Sequence, residues 1–137
     1  MREVAFVEAI REVQSEVLEA DDRVFVLGQE IGSYGGVFRA TQGLSAQFGE
    51  HRIRDTPIAE QSMVGLAVGA AAMGMRPIVE VMFMDFIACC MDAIVNHAAK
   101  LRYMSGGQFH VPLVIRTQGG TGTHHGSQHS QMFESWF

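Results

Sequence analysis

Ala5, Ala9, Ile10, Val13 and Val17 recur at helical spacing with Glu and Arg between them, which predicts an amphipathic helix running to about Ala20. Asp21-Asp22 ends it. Val24-Phe25-Val26-Leu27 is a continuous apolar, β-rich run stopped by Gly28, the pattern of a strand covered on both faces and hence of a parallel sheet. From Gly28 to Gly43 glycines accumulate, at Gly32, Gly35, Gly36 and Gly43, and predict a long surface loop near a site. A short helix around Leu44 to Phe48 and a brief strand within His51 to Asp55 follow, and Pro57 turns the chain into a helix from about Glu60 to Met73. In that helix Gly65, Ala67, Gly69, Ala70, Ala71 and Ala72 have almost no side-chain volume. The pattern predicts a close approach to another backbone, for instance in a second subunit. Pro77 to Val81 reads as the next strand, Asp85 to about Tyr103 as another helix, and Val111 to Thr117 as a further strand. Strands alternating with helices imply right-handed crossovers and helices on both faces of a parallel sheet, a three-layer α/β domain.

Composition narrows the function classes. With 137 residues, 47% of them hydrophobic and 18% charged, the chain has enough apolar surface for one compact domain and too little charge for a disordered tail. A formal net charge of −5 and scattered Lys and Arg leave no basic stripe, so nucleic acid is not an expected partner. The apolar uncharged stretch Gln61 to Met75 is shorter than the ~20 apolar residues that span a bilayer, and reads as a buried helix rather than a membrane segment. Cys89 and Cys90 are adjacent, which rules out C-x-x-C chemistry, and read as small buried hydrophobes. The opening Met1-Arg2-Glu3 has neither signal-peptide nor transit-peptide character, so a cytoplasmic location is expected, or the mitochondrial matrix for a mature eukaryotic chain. His129 to Phe137 reads as an element just beginning, so the chain is expected to be a piece of something longer.

Several constellations carry candidate chemistry. Gly120-Thr121-Gly122 opens a G-x-G-x-x-G pattern, but His125 stands at the third glycine, and no Lys-Ser or Lys-Thr follows a glycine run; an ordinary turn is favoured over a phosphate cradle. His124, His125 and His129 have no nearby acidic or Cys ligand before Glu134, and no metal site is expected. Glu60 sits between Pro57-Ile58-Ala59 and a charge-free helix. It is either an acid answering the helix dipole or a desolvated carboxyl with a raised pKa that shares a proton with a ligand nitrogen, and the residues alone leave both open. Phe83 and Phe86 flank Asp85 between a strand and a helix, either as core packing or as a ring platform at the carboxyl end of a parallel strand.

Asp55-Thr56-Pro57-Ile58-Ala59-Glu60 resembles a motif of the beta subunit of the decarboxylating component of 2-oxo acid dehydrogenase complexes, the pyruvate, branched-chain and acetoin dehydrogenase family. The resemblance continues through Val26-Leu27-Gly28-Gln29-Glu30-Ile31-Gly32, Gly35-Gly36-Val37-Phe38, Thr41-Gln42-Gly43-Leu44 and the Gly-Ala run from Gly65 to Gly74. It extends through Phe83-Met84-Asp85-Phe86, Asn96-His97-Ala98-Ala99-Lys100, Arg102-Tyr103-Met104-Ser105-Gly106-Gly107 and His129-Ser130-Gln131. It implies a three-layer domain like the transketolase-superfamily pyrimidine-binding domain, incomplete at its C-terminal end, with the second, C-terminal domain of such subunits absent. It implies thiamine diphosphate as cofactor, with Glu60 on N1′ of the aminopyrimidine, Phe86 stacking on that ring, Ile58 and Met82 lining it, and His129 facing substrate. Magnesium and diphosphate would be held by an alpha subunit, which carries the G-D-G motif missing here, and the backbone around Pro112 to Ile115 matches a segment that in some relatives helps bind potassium. The expected partners are that alpha subunit and a second beta subunit in an α2β2 assembly, a lipoyl-bearing acyltransferase core protein, and a small 2-oxo acid. The expected reaction is oxidative decarboxylation with acyl transfer to lipoyl groups, the fragment alone being inactive. Acetoin cleavage and a non-catalytic assembly role are the alternatives. Gln29 stands where many relatives have Glu, which puts in doubt any proton relay between paired sites through that position.

Overall fold

The computed structural model describes residues 2–137. The amphipathic opening segment forms α1 (Phe6–Ala20), whose first turn is tied by Glu8 Oε2 accepting the Ala5 N–H at 3.0 Å. Asp21 stops it: its carboxylate turns the chain by accepting the Arg23 backbone N–H at 2.9 Å and the Arg23 guanidinium at 2.8 and 3.0 Å. These side-chain and backbone hydrogen bonds from Arg23, aided by the charges of Arg23 and Arg76 and opposed by slight desolvation, lower the Asp21 pKa from 3.8 to about 2.

Four strands follow the apolar runs: β1 (Val24–Gly28), β2 (Ile53–Asp55), β3 (Arg76–Glu80) and β4 (Val114–Arg116). They form one sheet of order β2-β1-β3-β4, every pairing parallel, with Val26 opposite both Ile53 and Ile78 and with Glu80 opposite Arg116. All five residues of β1 are buried, as expected of a strand covered on both faces. Val24 and Val26 point to one side, into a core with Leu18 of α1, Ile31, Ile53 and Leu44 of α2 (Leu44–Phe48). Phe25 and Leu27 point to the other, where they meet Met63, Val64, Ala67 and Val68 of α3 (Glu60–Ala72), together with Val79, Ile87 and Cys90. Two helical layers thus sandwich the sheet.

Three expectations need correction. The expected helix from Asp85 to Tyr103 is three pieces: a 3₁₀ segment (Met84–Cys90), a π segment (Ala93–Ala98) and α4 (Leu101–Met104). Ile87 and Cys90 are both buried at a spacing of three, a separation that a 3₁₀ helix keeps on one face and an α-helix of 3.6 residues per turn rotates apart. The wider turn marked by the Ala99 N–H bonding Ile94 O at 3.0 Å comes directly after. Cys89 is exposed and only Cys90 is buried. After β1 the Gly28–Gly43 segment forms no further helix or strand, yet Ile31, Ala40 and Thr41 are essentially inaccessible, with Thr41 Oγ1 donating to Ile31 O at 2.7 Å, so much of this loop is core. In α3, the Gly65 and Gly69 positions face open space and Leu66 is exposed, so the helix is buried along one side and its small-residue face meets nothing among the described residues of this chain, which leaves it open to the approach of another backbone. No helix among the described residues is long and apolar enough to cross a membrane.

Two stability consequences follow. Leu27, 1% exposed at the centre of the larger core, is expected to cost about 2–5 kcal/mol when replaced by Ala, read from the shift of a chemical denaturation curve. Asp21→Asn should lower the melting temperature at neutral pH. Because the folded-state pKa lies below the ordinary value, the wild-type advantage is full above pH 3.8 and disappears as pH falls through about 2; a gap between the two proteins that persists below pH 2 would show that the carboxylate charge is not its source.

Candidate functional site

In a parallel sheet every strand delivers its carboxyl end to the same edge, and the candidate residues emerge there. Gln29 leaves β1, Ile58 and Glu60 follow β2, Met82, Phe83 and Phe86 follow β3, and the segment reaching His129 follows β4. The exit from β1 is locked to that from β2 by the Gly32 N–H, which donates to Asp55 Oδ1 at 2.7 Å; a side chain at Gly32 would collide with that carboxylate.

Glu60 is the first residue of α3 and is half-buried. Gln29 Nε2 donates to its Oε1 at 2.9 Å and also lies 3.7 Å from Met63 Sδ. Oε2 has no partner among the described residues, so one carboxylate oxygen is anchored and the other is left for a ligand. Burial, and after it the charge of Glu60 and then Cys89, pushes the Cys90 thiol up to about 11. Cys90 therefore stays a protonated, unreactive filler beneath the carboxylate at neutral pH.

Phe83 is the hub of an aromatic cluster. Its ring meets Phe38 at 5.4 Å between centroids, Phe86 at 6.2 Å, His125 at 5.7 Å and His129 at 4.9 Å, all near-perpendicular. Phe86 meets His129 in the same manner at 5.2 Å. His129 is thus clasped by two rings and borders a cavity of about 230 Å³ shared with Phe38, Phe83, Gln118 and Gly119. Met82 is half-buried, whereas Ile58 is 82% exposed, an apolar side chain left uncovered among the described residues.

Phe86 and His129 are therefore brought into contact. Glu60 stands in an adjoining group with Gln29 and Met63, linked to the aromatic cluster through the Met84–Cys90 segment, where Cys90 Sγ lies 3.7 Å from Phe86 O. Two buried acids at the same edge escaped sequence reasoning. Glu80 forms an ion pair with Arg116 across the β3–β4 register. Asp85 accepts two hydrogen bonds from Gln131, 46 positions away in sequence, a separation at which no local pattern signals contact. Gln29 carried a signal, a polar residue directly after an all-apolar strand, but its role as donor to Glu60 needed the geometry. No group of three or more His, Cys, Asp and Glu suited to a metal ion occurs among the described residues.

The site belongs to a wider set. The chain is 47% identical over all 137 residues to the pyruvate dehydrogenase E1 component subunit beta of Gracilaria tenuistipitata var. liui, covering 42% of that protein. It is 46% identical over the same length to the 2-oxoisovalerate dehydrogenase subunit beta of Bacillus subtilis (strain 168), again covering 42%. Over 130 residues, 95% of the chain, it is 48% identical to the pyruvate dehydrogenase E1 component subunit beta of Rickettsia bellii (strain RML369-C), of which it covers 40%. The chain spans about two fifths of the length of these curated relatives. The family described as "Transketolase, pyrimidine binding domain" matches residues 2–137, and with its parallel α/β sheet and its acid and aromatic groups gathered at the strands' carboxyl edge, the chain belongs to that family of transketolase pyrimidine-binding domains.

Proposed function

We propose that this chain is the pyrimidine-binding part of the beta subunit of a thiamine-diphosphate-dependent 2-oxo acid dehydrogenase, and that Glu60 is the acid it presents to the cofactor's aminopyrimidine. The observation that carries this reading is the half-buried carboxylate of Glu60, anchored through one oxygen by Gln29 at the carboxyl edge of a parallel sheet. Whole-length similarity to beta subunits named for pyruvate and 2-oxoisovalerate dehydrogenases supports the same class of enzyme.

The residues present fit an aminopyrimidine. A planar, nitrogen-bearing ring asks for a carboxylate at its edge, an aromatic or apolar surface on its face and little water around it. Glu60 Oε2 supplies the first, Phe86 the second, and Met82 with Ile58 the apolar surround. When bound, thiamine diphosphate supplies the carbon nucleophile and the electron sink for decarboxylation. Glu60 holds a proton between its carboxyl and the ring nitrogen, and Gln29 keeps that carboxyl from rotating. Here Gln29 acts as a neutral donor, so it fixes geometry and relays no proton of its own. His129, clasped between Phe83 and Phe86, faces the 2-oxo acid across the cavity and is placed to hydrogen-bond its oxygens.

The exposed Ile58 and the open Gly65–Gly69 face of α3 support a site completed by other chains: an alpha subunit that brings diphosphate and magnesium, and a second beta subunit. Transfer of the acyl group to lipoyl groups on an acyltransferase core belongs to the same reading.

In the full-length subunit assembled with its alpha partner, Glu60→Gln should lower kcat by about 10²–10⁴-fold, the size of a lost acid–base contribution, with subunit assembly unchanged. Turnover assayed on pyruvate, branched-chain oxo acids and acetoin identifies the substrate; retention of wild-type turnover on all of them by the variant would dismiss Glu60 and favour a role in assembly alone.

A further inference from the structure

Asp85 is a buried acid for which the chemistry above has no use. It lies in the first turn of the Met84–Cys90 segment, only 6% exposed, between the two phenylalanines that clasp His129. Its Oδ1 accepts both the backbone N–H of Gln131 at 3.2 Å and the Gln131 side-chain Nε2–H at 2.8 Å. A carboxylate in such a place requires donors; Oδ1 receives two, both from the exposed Gln131, while Oδ2 is buried without a partner. The surrounding backbone is equally tight. The Met84 N–H donates to Gln118 O at 2.6 Å, and a side chain on Gly119 would stand 2.6 Å from Gln131 O and 2.8 Å from Met84 Cβ, so only glycine lets the three segments close together. Burial works to raise the Asp85 pKa; the Gln131 side-chain hydrogen bond, the backbone N–H groups of Asp85 itself and of Gln131, and the nearby His129 together outweigh it, and the group lies below its ordinary value and is ionised at neutral pH.

We propose that Asp85 is the positioning residue for His129: its carboxylate tethers Gln131, and through the 129–131 backbone holds the imidazole edge-on between Phe83 and Phe86. The segment 83–86 thus provides the clasp and the tether, and 129–131 provides the ring and the amide that answers the tether. Two side chains separated by a carboxylate hold the sides of the imidazole, while the carboxylate sets how far the segment can withdraw. Asp85 touches no reacting atom. This inference rests on His129 facing the substrate, as proposed above, and its test is arranged to separate the two.

The full-length protein assembled with its partner subunit is used throughout. Gln131→Ala removes the shorter hydrogen bond at an exposed position and leaves the core filled. It should raise the rate of His129 modification by diethyl pyrocarbonate, resolved by mass spectrometry, by about fivefold, with His51 and His97 unchanged. It should lower kcat by about tenfold or more while thiamine diphosphate affinity stays within about twofold, the split expected when a reacting group is misplaced but cofactor contacts are kept. Asp85→Ala, which removes both hydrogen bonds, should show the same pattern at least as strongly, and the double variant should be no worse than Asp85→Ala alone, because nothing of the tether is then left for Gln131→Ala to break. Unchanged His129 labelling in Gln131→Ala overturns the tether whatever kcat does. Faster labelling with unaltered kcat, or losses that add in the double variant, overturns the positioning role. His129→Ala serves as the separate control: full activity in that variant removes His129 from the chemistry, while the labelling experiment still decides whether Asp85 holds it.

Discussion

Parallel pairing of all four strands is the constraint on which the rest depends. Because each strand must return to the same starting edge before the next begins, every turn that follows a strand leaves from the opposite edge, and polar groups in those turns are forced into one neighbourhood. β1 anchors the arrangement, since it pairs on both sides and buries all five of its residues between the two helical layers. Full burial of each Val, Leu or Phe in such a strand is worth about 1.5–3 kcal/mol, so the sheet has little freedom to shift register and carry the site with it.

That edge is rich in acids that water does not fully solvate, and each is answered by a donor from another element. Glu60 of α3 is met by Gln29 after β1, Glu80 of β3 by Arg116 of β4, and Asp85 by Gln131 from the last segment. A buried carboxylate without partners is costly, so these pairs act as fasteners between elements at that edge. The acids face inward, and Ile58 and the Gly65–Gly69 face of α3 remain uncovered.

The Met84–Cys90 segment links the two halves of the site. Its 3₁₀ winding puts Ile87 and Cys90 into the core below α3 while Phe83, Asp85 and Phe86 stay at the edge to shape the aromatic cluster and the tether. A regular α-helix here would turn that buried stripe away from its neighbours by a fraction of a turn at every step. The local winding is thus decided by what the core and the site require together.

Local patterning by itself determined the order of strands and helices, the parallel character of the sheet and the positions of α1, α2 and α3, because the runs Val24–Leu27 and Pro77–Val81 and the spacing of Ala5 to Val17 record burial that each element needs wherever it packs. Resemblance along the chain singled out Glu60, Phe86 and His129 as candidates, but not their contacts. The hydrogen bond from Gln29 to Glu60, the clasp of His129 by Phe83 and Phe86, the burial of the Gly28–Gly43 loop and the bond from Gln131 to Asp85 all join residues far apart in sequence. Such contacts leave no periodic trace, since hydrogen bonding and ring packing depend on distance in space, and only the assembled sheet brings those strand exits within reach of one another.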